Sequence, residues 1–364
     1  MTAGNLKNKL SLLLVVLFLL FTATACIPEA TSVFVSMAQP GTTADGVDYD
    51  KNDILVAEYD GGTNTASGWL TAFDGEWYGL TDKGHNLAAF SFNEMVIPLD
   101  LIVSAEPNSA AGTEMEIFLT FEQNRARVPG VTDFIYGQDI AKFNVASPEL
   151  FSPVDADYSY EMFFDGSDVG LTTATEKLDG ISVWTPEYYD FFSSNVEMPF
   201  DCHAAVIFLS TRGNYRVSPT PEGNALVGGG SDVLAFCATN TGADTAGFWF
   251  RVFDSDDAGI WPHQTITSLD VWMLDYTVNP NSVGETLETS IGFFFTPRRP
   301  FTGNGGAVTG GTSDLFVGVS DGVNSGVEGP YLNFNDDSNN NTLPAVNGVV
   351  EGIGIFDFPF TSVP

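Results

Sequence analysis

Short acidic turns recur along the chain, and they are the segments best suited to ion chemistry. Residues 164–171 read Phe-Asp-Gly-Ser-Asp-Val-Gly-Leu; residues 73–80 and 253–260 repeat this pattern with changes, and residues 334–337 keep only its beginning. Carboxylates at such short spacing offer hard oxygen ligands, which suits Ca²⁺ and its coordination by about six to eight oxygens. The candidate calcium ligands are Asp139, Asp165, Asp168, Asp179, Asp232, Asp254, Asp256, Asp257 and Asp270.

The acidic turns also have a purely structural interpretation. Asp, Gly, Ser and Asn are the residues that tight turns select, because Asp side chains accept hydrogen bonds from nearby backbone N–H groups. The spacing also lacks the full pattern of an EF-hand loop. Turn formation is therefore the favoured interpretation, and calcium as a bound cofactor is the alternative.

The chain contains three cysteines, of which two are placed for a disulfide. Cys202 comes just before one apolar run, and Cys237 ends the next apolar run of the same repeat. If these runs are antiparallel neighbours, the two Cα atoms come within the separation of about 5–6 Å that a disulfide needs. The alternatives are two unpaired thiols, or a metal site with His203, which would lack a fourth ligand for zinc.

An aromatic and acidic segment at residues 184–192 is the candidate ligand site. Flat rings beside carboxylates can bind a sugar face, and a pair of carboxylates can cleave a glycosidic bond. The favoured alternative is that these rings pack beneath a long loop. Residues 318–322 match the Gly-x-Ser-x-Gly pattern but lie in Gly-rich β-structure, so no catalytic residue is assigned. The candidate ligand-binding residues are Trp184, Glu187, Tyr188, Tyr189 and Asp190.

Composition restricts the class of protein. The formal net charge of −34 repels nucleic acid, which is therefore not expected as a partner, and it favours cations. Hydrophobic residues make up 44% of the chain, which is too many for a disordered acidic tail. Gly, Asn, Asp, Thr and Ser separate short apolar runs, so we predict an all-β fold with many turns.

Four apolar runs recur in the same order in each of four repeats, every 81 to 91 residues. Each run a contains a Phe followed two residues later by a hydroxyl residue, and each run b opens with an Asp and an aliphatic residue. Repetition of this kind indicates a repeat architecture. Run a covers 32–37, 116–121, 206–211 and 291–296; run b begins at 52, 138, 231 and 313; run c covers 68–73, 158–164, 247–253 and 330–334; run d covers 87–90, 178–184, 269–274 and 350–356.

Four repeats of about four antiparallel strands predict a four-bladed β-propeller. We expect each blade to have the order d-a-b-c from the centre outward, so that the last run d completes the blade begun by the first run a. An antiparallel meander would then place Asp139 near Asp165 and Asp168. Tandem β-sandwiches and another closed β-repeat fold are the alternatives. Residues 26–364 form one predicted domain with repeats at about 31–105, 114–190, 203–280 and 287–358.

The N-terminus has the features of an export signal. Residues 1–25 combine Lys7 and Lys9 with an apolar run and a small-residue cleavage site, so we exclude them from the fold. The small residues before Cys26 resemble the lipobox of bacterial lipoproteins, although Ala23 stands where that family usually has Leu. This resemblance implies acylation of Cys26 and anchoring to a membrane.

The segment at 164–171, with the Leu-Asp-Gly-Ile run after it, resembles repeats in uncharacterised bacterial secreted and surface proteins. That resemblance implies an extracellular or cell-envelope location and no particular activity. We therefore expect a non-enzymatic surface protein for adhesion, scaffolding or binding of an extracellular ligand. The alternative is a carbohydrate-binding or glycoside-cleaving protein that uses residues 184–192.

The calcium hypothesis predicts a change in thermal stability. An ion that binds only the native protein raises its melting temperature by mass action. We therefore expect a higher melting temperature in millimolar calcium than in chelator at fixed ionic strength. A melting temperature that does not change would leave these carboxylates as turn formers only.

Overall fold

The computed structural model describes residues 31–60, 65–66, 68–92, 114–146, 157–186, 202–218, 223–261, 263–278, 287–320, 324–334, 345–346 and 349–357. It is an all-β chain whose four small antiparallel sheets surround an axis as a four-bladed β-propeller. None of the helices in these ranges is long and apolar enough to cross a membrane.

The strands are, in chain order, β1 (Thr31–Met37), β2 (Gly41–Thr42), β3 (Asp48–Tyr49), β4 (Ile54–Asp60), β5 (Thr65–Ala66), β6 (Leu70–Phe73), β7 (Leu87–Phe92), β8 (Glu114–Phe121), β9 (Ile140–Ala146), β10 (Tyr158–Phe164), β11 (Leu178–Trp184), β12 (Ala205–Thr211), β13 (Tyr215–Val217), β14 (Leu226–Gly228), β15 (Val233–Asn240), β16 (Ala246–Phe253), β17 (Ile266–Val278), β18 (Leu287–Pro297), β19 (Phe301–Gly303), β20 (Val308–Gly310), β21 (Asp314–Ser320), β22 (Ser325–Asn333) and β23 (Val350–Asp357). Short 3₁₀ turns cover Lys83–His85, Gly166–Val169, Ala174–Glu176 and Asn304–Gly306.

Each blade has the predicted order d-a-b-c. Blade 1 is β23-β1-β4 with β5 and β6 both paired to β4, and blade 2 is β7-β8-β9-β10. Blade 3 is β11-β12-β15-β16, and blade 4 is β17-β18-β21-β22. The innermost strands β7, β11, β17 and β23 pack against one another in a ring around the axis. The four-bladed propeller is therefore confirmed.

The ring closes by pairing the last described strand with the first. Strand β23 lies antiparallel to β1, with Thr31 opposite Asp357 and Phe34 opposite Gly354. Blade 1 thus takes its inner strand from the end of the chain and its other strands from the start. This closure is the one expected from the order of the runs, and it leaves no open blade at either end of the repeat array.

Four hydrophobic cores lie between neighbouring blades. Aromatic residues in run a pack toward the next blade: Phe34 belongs to the core between blades 1 and 2, and Phe118 to the core between blades 2 and 3. Phe208 lies between blades 3 and 4. Strands with two buried faces can be apolar throughout, and β11 and β12 are buried along their whole length.

Extra hairpins between strands a and b account for part of the long repeat. Strands β2 and β3 form such a hairpin in blade 1, β13 and β14 in blade 3, and β19 and β20 in blade 4. In blade 2 a single bridge between Ala126 and Ile135 occupies the same place. No apolar run marks these hairpins in the sequence, because each strand has only two or three residues.

The paired cysteines lie where the antiparallel order of runs a and b placed them. Cys202 precedes β12, and Cys237 lies in β15 opposite Val206. The two Cα atoms are 4.9 Å apart and the sulfur atoms are within bonding distance. Both side chains are fully buried in the core between blades 3 and 4. The geometry supports a disulfide, as predicted.

Removing this disulfide should destabilise the protein. The bridge joins residues separated by 35 positions, and a loop of this length corresponds to about 3–4 kcal/mol in the chain-entropy model. The free energy of unfolding of the Cys202→Ser/Cys237→Ser variant, measured by denaturant titration, should be lower than that of the wild type by that amount. Mass spectra of unreduced wild-type peptides should show the two cysteines linked. Two free thiols in exported protein would contradict the prediction.

Candidate functional site at the propeller axis

In blades 1 to 3, the Asp residue at the start of strand b holds two turns together. In blade 2, Asp139 accepts hydrogen bonds from the backbone N–H of Tyr136, at 2.7 Å, and of Gly166, at 3.0 Å. Asp53 makes the equivalent bonds to Asp50 and Gly75 in blade 1. Each carboxylate therefore joins the turn before strand b to the acidic turn after strand c.

Blade 3 uses the same device, and the described part of blade 4 keeps its first bond. Asp232 accepts hydrogen bonds from Gly229 N–H and from both the N–H and the hydroxyl group of Ser255. Asp314 accepts from Gly311 N–H. Burial raises the pKa of Asp139 to about 7 and that of Asp53 to about 6.

The first Asp of each acidic turn caps that turn. Asp165 accepts hydrogen bonds from the N–H and the hydroxyl group of Ser167, and Asp254 accepts from Asp256 N–H. Asp168 accepts from Thr245 N–H in the next blade. The local bonds of Asp165 and Asp254 are the turn chemistry that the sequence favoured, whereas the bond of Asp168 joins two blades.

The structure distributes the candidate calcium ligands over several environments. The charges of Asp165 and Asp168 act on the carboxylate of Asp139, so these three are neighbours, as expected. Asp256 and Asp257 are exposed. Asp179 and Asp270 instead lie on the innermost strands. In the described part of the chain, no group of three or more His, Cys, Asp or Glu side chains could hold a metal. Calcium binding stays a prediction.

The acidic turns also join neighbouring blades. Gly79, Gly170 and Gly259 take positive φ at equivalent positions, and each faces the a–b segment of the next blade. In two of these turns, the carbonyl one residue earlier accepts a side-chain hydrogen bond from strand c of the next blade: Tyr160 Oη to Tyr78 O, 3.0 Å, and Trp249 Nε1 to Val169 O, 2.8 Å. In the third, Ala258 O accepts from the backbone N–H of Asn304, at 2.8 Å.

The innermost strands carry a recurring irregularity at the axis. Near its start, each has one extra residue relative to its neighbour in strand a, so the register shifts by a β-bulge. A bulge re-aims the side chain of the extra residue. The bulged residues are equivalent in position and differ in chemistry: Ala88, Asp179, Thr267 and Glu351.

A second set of equivalent residues follows strand a in each blade. Their backbone N–H groups donate to the carbonyl at or just before the start of the inner strand of the same blade, so the four positions superimpose around the axis. Two of these positions carry guanidinium groups and a third carries a carboxylate. The residues are Ala38, Glu122, Arg212 and Arg298.

These two sets of residues form a charged cluster, here called the axial cluster. Arg298 donates two hydrogen bonds to Asp179, at 3.0 and 3.1 Å, and one to Glu351 Oε1, at 3.1 Å. Arg212 donates to Asp179 at 3.2 Å. Glu122 Oε1 lies 3.6 Å from Arg212 Nη2 and 3.8 Å from Arg298 Nη2. All four blades contribute a side chain, and charges that are far apart in sequence meet at the axis.

The side chains of the axial cluster differ in how far they are buried. Asp179 and Glu351 are 0% and 1% exposed, whereas roughly a quarter of each of the other three side chains is exposed. Among the described residues, neither Glu351 Oε2 nor Arg212 Nη2 has a hydrogen-bond partner. Buried polar atoms usually have one. Burial raises the pKa of Glu351 to about 7, and the charge of Arg298 opposes this rise.

Asp179 is the one member of the axial cluster among the residues predicted from the sequence, where it is a candidate calcium ligand. A signal was nevertheless present, because Glu122, Arg212 and Arg298 each follow the run a that contains the repeated hydroxyl residue. Comparing residues column by column across the repeats would have isolated this charged column.

The aromatic segment is described only at its beginning. Trp184 donates from Nε1 to Val271 O at 3.2 Å and packs edge-on against Phe208, so it belongs to the core between blades. Glu187, Tyr188, Tyr189 and Asp190 lie outside the described residues, as does Cys26.

Comparisons with protein-family models, curated proteins and solved structures gave no match for this chain.

The raised pKa of Glu351 predicts a pH-dependent stability. Because the folded protein holds this proton more tightly than the unfolded chain, stability present below pH 4.5 is lost as the pH rises through about 7. The loss is about 1.4 kcal/mol for each unit of pKa shift. Glu351→Gln should reduce the fall in the free energy of unfolding between pH 5 and pH 8.

The matched control is Glu76→Gln, which removes the same charge from an exposed turn. Urea unfolding at several pH values measures the effect. Identical pH profiles for wild type and Glu351→Gln would contradict the prediction.

Proposed function

We propose that this protein is an exported, non-enzymatic binding propeller that recognises an acidic extracellular ligand on one face. That face, here called the mouth face, consists of the described a–b segments 38–53, 122–139, 212–218, 223–232 and 298–313 and the described c–d segments 74–86, 165–177, 254–261 and 263–265. It surrounds the axial cluster. The proposal rests on the distribution of basic residues.

The basic residues are concentrated on the mouth face. Of the thirteen Lys and Arg residues, Lys7 and Lys9 precede the first strand, and Lys142 and Arg251 lie in the blade strands β9 and β16. The other nine belong to mouth-face segments: Lys51, Lys83, Arg125, Arg127, Lys177, Arg212, Arg216, Arg298 and Arg299.

The segments that lead from strand d to strand a, and from strand b to strand c, contain no Lys or Arg in the sequence. Segments 93–113, 147–157 and 185–204 carry only acidic charges. A protein with a net charge of −34 repels anions in general. The described mouth-face segments carry these nine Lys and Arg beside seventeen Asp and Glu, so an anionic ligand is expected to approach where arginines lie together, as at the axis.

Exposed aromatic residues favour a glycan as that ligand. Trp77 and Trp261 lie in c–d turns of the mouth face and are 53% and 61% exposed. Exposed indole rings offer a flat apolar surface for a sugar ring, and arginines bind carboxylates through paired hydrogen bonds. An acidic polysaccharide combines both chemistries, so we take it as the ligand class.

The location is part of the proposal. The export signal and Cys26 support a lipid-anchored protein of the cell envelope, and a buried cysteine pair suits an oxidising compartment. A fatty-acid analogue should label the wild type and not Cys26→Ser. Equal labelling of both would remove the anchor and leave a freely secreted protein.

Binding to a polyuronate tests the proposed ligand class. Polygalacturonate should bind at 0.15 M salt, and its methyl-esterified form should bind more weakly because it lacks the carboxylates. Arg216→Gln/Arg299→Gln should weaken binding by about fivefold, since two exposed charge contacts are lost. Affinity electrophoresis or biolayer interferometry measures both effects.

The matched control is Lys142→Gln. Lys142 lies outside the mouth face and contacts Glu116 and Glu161, so this variant removes a positive charge elsewhere in the protein. It should bind polygalacturonate like the wild type. Equal binding of the free and esterified polymers would overturn the proposal. Cleavage of a polysaccharide that is abolished by Glu187→Gln would instead favour the glycosidase alternative.

A further inference from the structure

The axial cluster has one carboxylate that is held differently from the others. Asp179 and Glu351 are buried and accept hydrogen bonds from guanidinium groups at 3.0 to 3.2 Å. Glu122 lies beside the same two arginines at 3.6 and 3.8 Å, beyond hydrogen-bonding distance, and is partly exposed. Glu122 therefore neutralises the arginine pair without making the short, directed bonds that a carboxylate can form with guanidinium.

One donor of the pair is left unused. Arg212 Nη2 is buried and has no hydrogen-bond partner within the described ranges, although Arg212 Nε donates to Asp179. A buried donor without a partner costs free energy, which a ligand acceptor would recover. Both arginines donate hydrogen bonds to the buried Asp179, so their positions are set before any ligand binds.

We propose that Arg212 and Arg298 form a recognition site for a single carboxylate, and that Glu122 is a built-in occupant that the carboxylate of a ligand displaces. The inference deepens the proposed function and rests on it for the ligand class, a uronic acid. The ligand carboxylate would accept a hydrogen bond from Arg212 Nη2. While Glu122 occupies the site, its negative charge lowers the affinity of the site for unrelated anions.

The side chains around the site are consistent with an exchangeable occupant. Glu122 comes from blade 2, whereas the arginines come from blades 3 and 4, so its movement disturbs no bond within their sheets. The backbone N–H of Glu122 donates to Asn86 O, which fixes the backbone, so only the Glu122 side chain has to move for it to leave the site. Lys177 donates to Glu122 O, which places one more cation beside the site.

Binding of monomeric D-galacturonate, followed by NMR titration of the full chain, tests this site. The comparison probes are the methyl ester of galacturonate, which lacks the carboxylate, and acetate, which lacks the sugar ring. Arg212→Gln should weaken galacturonate binding by at least about tenfold, since a charge-assisted hydrogen bond is lost. Glu122→Gln should tighten it by about threefold, since a competing charge is removed. The ester should not bind in either case.

Lys142→Gln is the control for loss of a charge elsewhere, and Arg212→Lys keeps the charge if Arg212→Gln does not fold. Arg212→Lys should bind galacturonate more weakly than wild type, because Lys cannot donate the paired bonds. Acetate that binds as tightly as galacturonate would restrict the site to carboxylates in general and overturn the uronic-acid assignment.

The outcomes separate this inference from the proposed function. Polygalacturonate binding with no effect of Glu122→Gln or Arg212→Gln on the monomer would overturn the inference and leave the proposed function standing. Galacturonate binding that responds to both variants, without polymer binding, would support the site and overturn the mouth face as a polysaccharide surface.

Discussion

The pairing of β23 with β1 is the constraint on which the rest of the structure depends. It joins the two ends of the repeat array, so that every inner strand has a blade on either side. An open ring would leave a long apolar strand edge in contact with water, which is a site for aggregation. Closure also brings strands from four distant parts of the chain to one axis.

Closure buries backbone groups and bulged side chains at that axis, and these polar groups need hydrogen-bond partners. Three side chains of the inner strands supply some of them by accepting hydrogen bonds from backbone N–H groups of the following blade. The donors and acceptors are Val183 N–H to Ser91 Oγ, Val271 N–H to Ser182 Oγ and Ile355 N–H to Asp270 Oδ2. The fourth equivalent position is Gly354, which has no side chain to accept such a bond.

The axial cluster is the second polar level, and its value for stability is limited. Burying ions costs several kcal/mol each, which their mutual attraction recovers only with good geometry. The three hydrogen bonds to Asp179 are of this quality, whereas Glu351 and Glu122 are less well satisfied. The proposed carboxylate site accounts for the break in fourfold repetition at these positions.

The sequence by itself determined the local parts of this protein: the four runs of each repeat, their order, the acidic turns and the cysteine pair. Alternating apolar residues and Asp-Gly turns act over a few residues, so their pattern can be read along the chain. Only the tertiary structure decided which side chains face the axis. Glu122, Asp179, Arg212, Arg298 and Glu351 are dozens of residues apart, and they meet because ring closure and a β-bulge in each inner strand direct them to one point.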